Sequence, residues 1–281
     1  MRYNREEIVF LNGRFLPAKE ANVPVSDPGF LLGAGVFETM RSYNNSIAYF
    51  HQHLRRMAGS LRLVNIKLPY SLLKLEDTVN RTVKINNFKD SYIRLTAWRA
   101  EKGTGVLVTV KKYNPCSRLK YKVGFKAGVS GFCQNEGCFS PRIKTTSYML
   151  YNLAYEKAKK NGFDEAIILN SRGYLSEASR SNIFLIKNNA VFGPSLSSGC
   201  LAGITRKAVF DLAEKHNIKN YEANLTLGDL YKADEAFLTN SLIGVMPLAC
   251  VGKRRIAGGA GSFKLTRFFI REYNRILKKK A

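Results

Sequence analysis

A lysine, a carboxylate and a helix start have the residue types and spacing that could bind and activate a small phosphorylated molecule. Lys144 comes directly before a long predicted helix, and Glu177 ends a short predicted strand that small polar residues follow. Gly203-Ile204-Thr205 opens a helix after a glycine-containing turn. Backbone N–H groups and the Thr205 hydroxyl therefore face outward at the positive end of a helix, where a phosphate-sized anion binds well.

Each of these features alone has an ordinary explanation. A lysine before a helix is usually solvated, a carboxylate at a strand end is usually an exposed turn residue, and a threonine near a glycine often caps a helix. Together they match the needs of pyridoxal phosphate, which are an amine for a covalent link, a carboxylate for the pyridine nitrogen and a helix N-terminus for the phosphate. The sequence therefore predicts a pyridoxal-phosphate enzyme in which Lys144 carries the cofactor.

The net charge of the chain limits the classes of molecule that it is expected to bind. The chain has 281 residues, with 45 Lys and Arg against 21 Asp and Glu, which gives a formal net charge of +24. Such a field attracts polyanions. The basic residues are spread along the chain, however, and the runs at 253–255 and 278–280 are short. We therefore expect a surface bias that helps to draw in anionic substrates, and no nucleic-acid groove.

Cysteine spacing and hydropathy argue against two further classes. The five cysteines include no CxxC pair, and Cys133 and Cys138 lack a second Cys or His pair at zinc-ligand spacing. We therefore predict reduced thiols and no metal site. No apolar run reaches the roughly 20 residues that span a bilayer, so no membrane is expected. The first residues lack the apolar segment of a signal peptide, which makes the cytoplasm the expected location.

Hydrophobic periodicity and turn residues predict an α+β chain of two domains, a smaller one at residues 1–120 and a larger one at residues 121–281 that contains the lysine. Hairpin turns are indicated at Asn12-Gly13, Asn44-Asn45, 171–173 and Asn188-Asn189. The predicted helices span residues 51–64, 70–85, 145–160, 204–216 and 262–277. The predicted strands outside the hairpins span residues 92–100, 105–112, 236–238 and 244–251.

Two glycine-rich stretches invite a dinucleotide-binding interpretation. They are Gly33-Ala34-Gly35 and residues 258–261. Neither completes a GxGxxG motif between a strand and a helix, so we reject that interpretation.

Segments along nearly the whole chain resemble the class IV aminotransferase family, the fold type IV pyridoxal-phosphate enzymes. In order they are NGRF at 12, SDPGFLLGAGVFETMR at 26, HQHLRRM at 51, YIRLT at 92, IKTTSY at 143, GFDEAIILNSRGYLSEASRSNIF at 162, LAGITR at 201 and FLTNSLIGVMPL at 237. The resemblance implies a two-lobed fold with a small N-terminal lobe, a larger C-terminal pseudo-barrel lobe, and a homodimer. The chain departs from the family at Ala34, where Asp is usual, and at Ala202, where Pro is usual.

The resemblance also implies a role for individual residues. Lys144 matches the lysine that forms the Schiff base and moves the proton, and Glu177 matches the partner of the pyridine nitrogen. Arg56 matches the phosphate-binding arginine, with Arg55 as the alternative. The other implied cofactor contacts are the amides of Ile204 and Thr205, the hydroxyls of Thr205 and Ser241, Leu201 against the ring, and Tyr148 near its phenolic oxygen unless it is a plain helix-face aromatic. The implied substrate contacts are Phe37, Tyr92 and Arg94.

The resemblance leaves the reaction open. We expect a 4-amino-4-deoxychorismate lyase, which forms 4-aminobenzoate and pyruvate in folate synthesis. Residues 36–39 and 239–242 resemble lyase segments, and residues 179–182 differ from the Gly-Glu-Asn that is usual in branched-chain enzymes. The alternative is a branched-chain or D-amino-acid aminotransferase, which passes an amino group to a 2-oxo acid. Residues 92–94, Tyr-Ile-Arg, resemble the branched-chain segment that approaches substrate.

Overall fold

The computed structural model describes residues 7–256 and 263–280, and the chain forms two compact units. The first unit comprises the residues up to Asn114 together with Lys144–Ser147, and the second comprises Pro115–Ile143 and Tyr148–Lys278. The glycine-rich stretch 258–261 and the predicted helix start at residue 262 lie outside the described residues.

The first unit is built on a six-stranded antiparallel sheet with the strand order β2-β1-β6-β5-β3-β4. Asn12 and Gly13 both have positive φ, 47° and 97°, which suits the tight turn between β1 and β2. The predicted hairpins at Asn12-Gly13 and Asn44-Asn45 are confirmed. The strands predicted at residues 92–100 and 105–112 are also confirmed, and they pair with each other. The strands are β1 (Ile8–Leu11), β2 (Arg14–Pro17), β3 (Gly35–Tyr43), β4 (Ser46–Ile47), β5 (Asp90–Arg99) and β6 (Thr104–Lys112).

Two longer helices, α2 (Phe50–Leu63) and α3 (Leu72–Asn86), pack against this sheet. The helices of the first unit are α1 (Pro28–Leu31), α2 (Phe50–Leu63) and α3 (Leu72–Asn86), and the two predicted ones are confirmed. α2 contacts β3, and α3 contacts β1 and β6. Along β5, Ile93 and Leu95 are fully buried whereas Tyr92 and Arg94 are half-buried, because alternate side chains point to opposite faces. The face opposite the core therefore carries the polar side chains of the strand.

The second unit contains a nine-stranded mixed sheet with the order β12-β11-β10-β13-β14-β7-β8-β9, and β15 pairs with β14. β9, at one edge, also contacts β10 and β11, so the sheet curls around an apolar interior that includes Ile167, Leu185 and Leu238. The strands are β7 (Phe125–Val129), β8 (Glu165–Leu169), β9 (Leu175–Ala178), β10 (Asn182–Lys187), β11 (Ala190–Pro194), β12 (Asn220–Ala223), β13 (Glu235–Asn240), β14 (Gly244–Val251) and β15 (Arg254–Arg255).

Helices of the second unit include α5, which contacts β7 and β8, and α6, which contacts β12 and β13. Gly162, after α5, has φ of 77°, a conformation that suits a glycine at the end of a helix. Within residues 7–256 and 263–280, no helix is both long and apolar enough to cross a bilayer. The helices are α4 (Arg118–Val123), α5 (Met149–Lys160), α6 (Ile204–Lys215), α7 (Leu227–Lys232) and α8 (Lys264–Lys280).

The segment around Lys144 differs from the prediction. The helix expected from residue 145 begins at Met149, because the hydroxyls of Thr145 and Thr146 donate to the carbonyls of Gly35 and Gly33 at 3.1 and 2.7 Å. The Phe37 N–H also donates to the Lys144 carbonyl at 2.8 Å. These bonds group Lys144–Ser147 with the first unit, whereas the sequence-based division assigned the lysine to residues 121–281.

Candidate active site

Lys144 lies beside an aromatic ring of the first unit that an arginine also contacts. The Lys144 Nζ is 4.6 Å from the centroid of the Phe37 ring, and the Arg94 Cζ is 3.6 Å from the same centroid. Cations are attracted to the face of such a ring. The structure therefore brings together three residues that the sequence analysis singled out separately.

The β3–β5 register places the predicted substrate contacts on one face of the sheet. Phe37 is paired with Thr96, whose hydroxyl accepts a 3.3 Å hydrogen bond from Arg94 Nε. Tyr92 precedes Arg94 by two positions and so points to the same face. This face combines an apolar ring with a guanidinium, which together suit an organic acid with an apolar part.

Arg56, the predicted phosphate ligand, is held by a buried carboxylate. Its Nε and Nη2 each lie 2.7 Å from an oxygen of Glu38, and His53 Nδ1 lies 2.6 Å from Glu38 Oε2. Glu38 and His53 are each 1% exposed, whereas the neighbouring Arg55 is exposed. The bidentate pair fixes the plane of the Arg56 guanidinium.

Charge states in this cluster follow from its contacts. Burial raises the pKa of Glu38, but the Arg56 charge and the hydrogen bonds from Arg56 and His53 outweigh it and lower that pKa from 4.5 to about 2. Burial lowers the pKa of His53, although Glu38 opposes that shift. At neutral pH the cluster therefore contains an ionised Glu38 and Arg56 with a neutral His53.

Replacement of Glu38 by glutamine is expected to lower the free energy of unfolding by about 3 kcal/mol at pH 7, because it leaves Arg56 without its buried counter-charge. The folded-state pKa of Glu38 lies below its unfolded value, so this contribution is complete above pH 4.5 and is lost as the pH falls toward 2. Urea unfolding at several pH values measures the difference between wild type and variant. A difference that does not shrink in acid would contradict this assignment, and Glu76→Gln, at a more exposed pair with His51, serves as control.

Glu177, on β9 of the second unit, is 6% exposed and accepts several hydrogen bonds. Tyr151 Oη donates to its Oε1 at 2.8 Å. Asn182 Nδ2 and the Leu201 N–H donate to its Oε2 at 3.3 and 3.2 Å. Donors of this kind stabilise a carboxylate that burial would otherwise disfavour.

Asn182 connects Glu177 with the start of α6. Its Nδ2 also donates to the Leu201 carbonyl at 2.8 Å. A Cβ on Gly203 would lie 2.0 Å from Asn182 Oδ1, so only glycine fits at this N-cap position. The carboxylate and the helix start are thus fixed to each other through one side chain.

The remaining predicted cofactor residues of the second unit occupy distinct places. Ile204 and Thr205 form the first turn of α6, and the buried Thr205 hydroxyl lies 3.4 Å from Tyr273 Oη. Ser241 follows β13 in the turn to β14. Tyr148 donates to the Ser179 carbonyl at 2.8 Å and stacks on Tyr151 with 4.8 Å between ring centroids.

Four residues of these clusters received no role in the sequence analysis. They are Glu38, His53, Tyr151 and Asn182. For the first two a signal was present, because Glu38 is a charge in an apolar strand and His53 and Arg56 are three residues apart on a helix. Tyr151 and Glu177 are separated by 26 positions, and no local pattern links them.

A family model with the description Amino-transferase class IV matches residues 35–251 of this chain. The chain belongs to this family. The expected fold type and the expectation of a pyridoxal-phosphate enzyme are therefore confirmed.

Individual relatives carry three kinds of name, which are branched-chain-amino-acid aminotransferase, D-alanine aminotransferase and aminodeoxychorismate lyase. A Methanocaldococcus jannaschii protein, named "Putative branched-chain-amino-acid aminotransferase", is 34% identical over 251 residues, covering 85% of this chain and 86% of its own. The aminodeoxychorismate lyase of Bacillus subtilis is 29% identical over 252 residues, covering 85% of each chain. The structure of a branched-chain aminotransferase from Thermoproteus uzoniensis with norvaline superposes with a TM-score of 0.90 at 29% identity, covering 98% of this chain and 96% of its own.

Class IV aminotransferases use pyridoxal phosphate, and the second unit fits two ends of that molecule. Glu177 offers a buried carboxylate of the kind that pairs with a pyridinium N–H. The start of α6 offers outward N–H groups next to Gly203, where a side chain has no room. These residues would hold the ring nitrogen and the phosphate respectively.

Proposed function

We propose that this member of the class IV aminotransferases is a transaminase that passes the amino group of an apolar amino acid to a 2-oxo acid. The lyase reaction that the sequence analysis preferred is less well supported than this alternative. The observation that carries the proposal is the 34% identity to the Methanocaldococcus jannaschii relative, against 29% to the lyase over nearly the same length.

The sheet face of the first unit that carries Phe37, Tyr92 and Arg94 supports an apolar amino acid as substrate. An apolar side chain would contact Phe37, and the guanidinium of Arg94 would pair with a carboxylate. Tyr92 lies on the same face and is half-buried. We assign Phe37, Tyr92 and Arg94 to substrate binding.

The cofactor assignments are part of the same proposal. We assign Lys144 to the covalent link and Glu177 to the pyridine nitrogen. We assign the phosphate to Arg56 together with Ile204, Thr205 and Ser241, and the ring surroundings to Leu201 and Tyr148. The described structure gives Arg56 a fixed guanidinium and leaves Arg55 exposed, which supports the choice of Arg56.

Lys144 and Glu177 then have distinct chemical tasks. The cofactor supplies an electron sink that stabilises negative charge on the carbon next to the substrate nitrogen. Lys144 would form the covalent link and, once released from it, its Nζ would act as the base that takes and moves the substrate proton. Glu177 would place a negative charge beside the ring nitrogen and so favour its protonated, electron-withdrawing form.

Substrate assays test this proposal against the lyase. We expect leucine with 2-oxoglutarate to yield glutamate, with D-alanine as the probe of opposite stereochemistry. Arg94→Gln should raise KM for 2-oxoglutarate about 10-fold or more, because one charge-assisted pair is lost. Release of pyruvate and an aromatic amine from aminodeoxychorismate, without turnover of any amino acid pair, would reverse the assignment.

The homodimer and the cytoplasmic location expected from the sequence are also proposals. Analytical ultracentrifugation of the purified protein tests the first, and fractionation of the source cells tests the second. A sedimenting species of one chain, 31.6 kDa, would contradict the dimer.

A further inference from the structure

Tyr151 donates a hydrogen bond to Glu177 from α5 of the second unit. Its Oη lies 2.8 Å from Glu177 Oε1, whereas the donors to Oε2, Asn182 Nδ2 and the Leu201 N–H, lie at 3.3 and 3.2 Å. The phenol therefore contacts one carboxylate oxygen, and the two amide donors contact the other.

The position of this phenol is fixed by its neighbours. Its ring stacks on Tyr148 at 4.8 Å with an interplanar angle of 19°, and Tyr148 is itself anchored to the Ser179 carbonyl. The ring also packs on the small apolar cluster of Ala154, Ala158 and Ile168. A side chain held on both sides pays little further entropy to keep its hydroxyl directed at Glu177.

The phenol of Tyr151 is protonated at neutral pH. Burial, followed by the charge of Glu177, raises the pKa of Tyr151 well above its ordinary value of 10. The same two causes raise the pKa of the adjacent Cys200 thiol to about 12. Tyr151 is thus an uncharged donor at neutral pH.

An uncharged donor has a different effect on a carboxylate from that of a cation. Tyr151, Asn182 and the Leu201 amide stabilise the negative charge of Glu177 without cancelling it. Each such bond also lowers the affinity of the carboxylate for a proton. A carboxylate of this kind can pair with a protonated ring nitrogen and still leave the proton on that nitrogen.

From this geometry we infer that Tyr151 is a positioning residue for Glu177, which directs the carboxylate and keeps the shared proton on the pyridine nitrogen of the cofactor. The inference rests on the proposed function, because it requires Glu177 to face that nitrogen. Tyr151→Phe removes only the hydroxyl, and we expect kcat to fall about 10-fold while KM changes little, because the lost bond is to a charged group.

The decisive readout is the ¹⁵N resonance of ring-labelled pyridoxal phosphate bound to the protein. In wild type we expect the pyridinium position, in Glu177→Gln the neutral pyridine position, and in Tyr151→Phe a position between them. Tyr155→Phe is the matched control, because it removes the hydroxyl of a tyrosine one turn further along α5. The centroid of the Tyr155 ring lies 3.8 Å from the Arg180 guanidinium carbon.

The outcomes separate the two proposals. A pyridinium resonance in wild type that is unchanged in Tyr151→Phe overturns the inference and leaves the proposed function standing. Equal shifts in Tyr151→Phe and Tyr155→Phe also overturn it, because they indicate a general loosening of α5. A neutral resonance in wild type overturns the role assigned to Glu177 and the inference with it.

Discussion

Replacement of Lys144 by alanine is expected to reduce transamination by roughly 10⁴-fold or more, because one residue supplies both the covalent link and the proton transfer. The variant should still fold. The bonds that hold this segment in the first unit come from the Lys144 carbonyl and the hydroxyls of Thr145 and Thr146, which the substitution leaves in place. Steady-state kinetics with cofactor in excess, combined with thermal unfolding, measures both effects.

The matched control for this variant is Lys160→Ala, at the exposed end of α5. It removes the same charge from a chain with a net charge of +24, so a general electrostatic effect on anionic substrates would lower both activities alike. An active Lys144→Ala protein, or an inactive Lys160→Ala protein, contradicts the assignment of the lysine.

Glu177→Gln is expected to lower kcat about 100-fold or more with a smaller change in KM, because the negative charge beside the ring nitrogen is lost while the shape is kept. The amide oxygen can still accept from Asn182 and Leu201, and its NH₂ group can donate to Tyr151, whose hydroxyl is also an acceptor. The folded state should therefore survive, as circular dichroism and thermal unfolding would verify.

Glu156→Gln on α5 provides the comparison, since Glu156 is exposed and bonds to Asn152 within its own helix. Its kcat should equal that of wild type. Equal kcat values for Glu177→Gln and wild type would show that Glu177 has no part in the chemistry and would point to a structural role for its hydrogen bonds.

The elements that depend on local chemistry could be predicted from the sequence. Asn12-Gly13 specifies a tight hairpin because both residues accept positive φ, and Gly162 ends α5 for the same reason. Two features depend on distant partners and escaped prediction. The first is the start of α5, which is displaced because Thr145 and Thr146 bond to Gly35 and Gly33. The second is β7, a short strand that pairs in parallel with β8 and β14, which lie far along the chain.

The residues of the candidate site also divide into those that the sequence predicts and those whose contacts depend on distant partners. Lys144, Glu177 and Arg56 were assigned from family segments, and the assignments stay proposals with geometric support. The sequence predicted that Arg56 binds the phosphate, but it did not predict that the buried carboxylate of Glu38 orients Arg56. That contact is formed between a strand and a helix, so no local pattern shows it. The contact of Tyr151 with Glu177 joins a helix to a strand of the curled sheet, and neither partner has a local signature.

Chemical trapping identifies the lysine that carries the cofactor, which we expect to be Lys144. Wild-type protein incubated with pyridoxal phosphate would be reduced with borohydride, digested and analysed by mass spectrometry. We predict a visible absorption band that disappears on reduction, and a pyridoxyl group on the peptide that contains Lys144. A protein without a visible band, or one with the adduct on another lysine, would contradict this prediction.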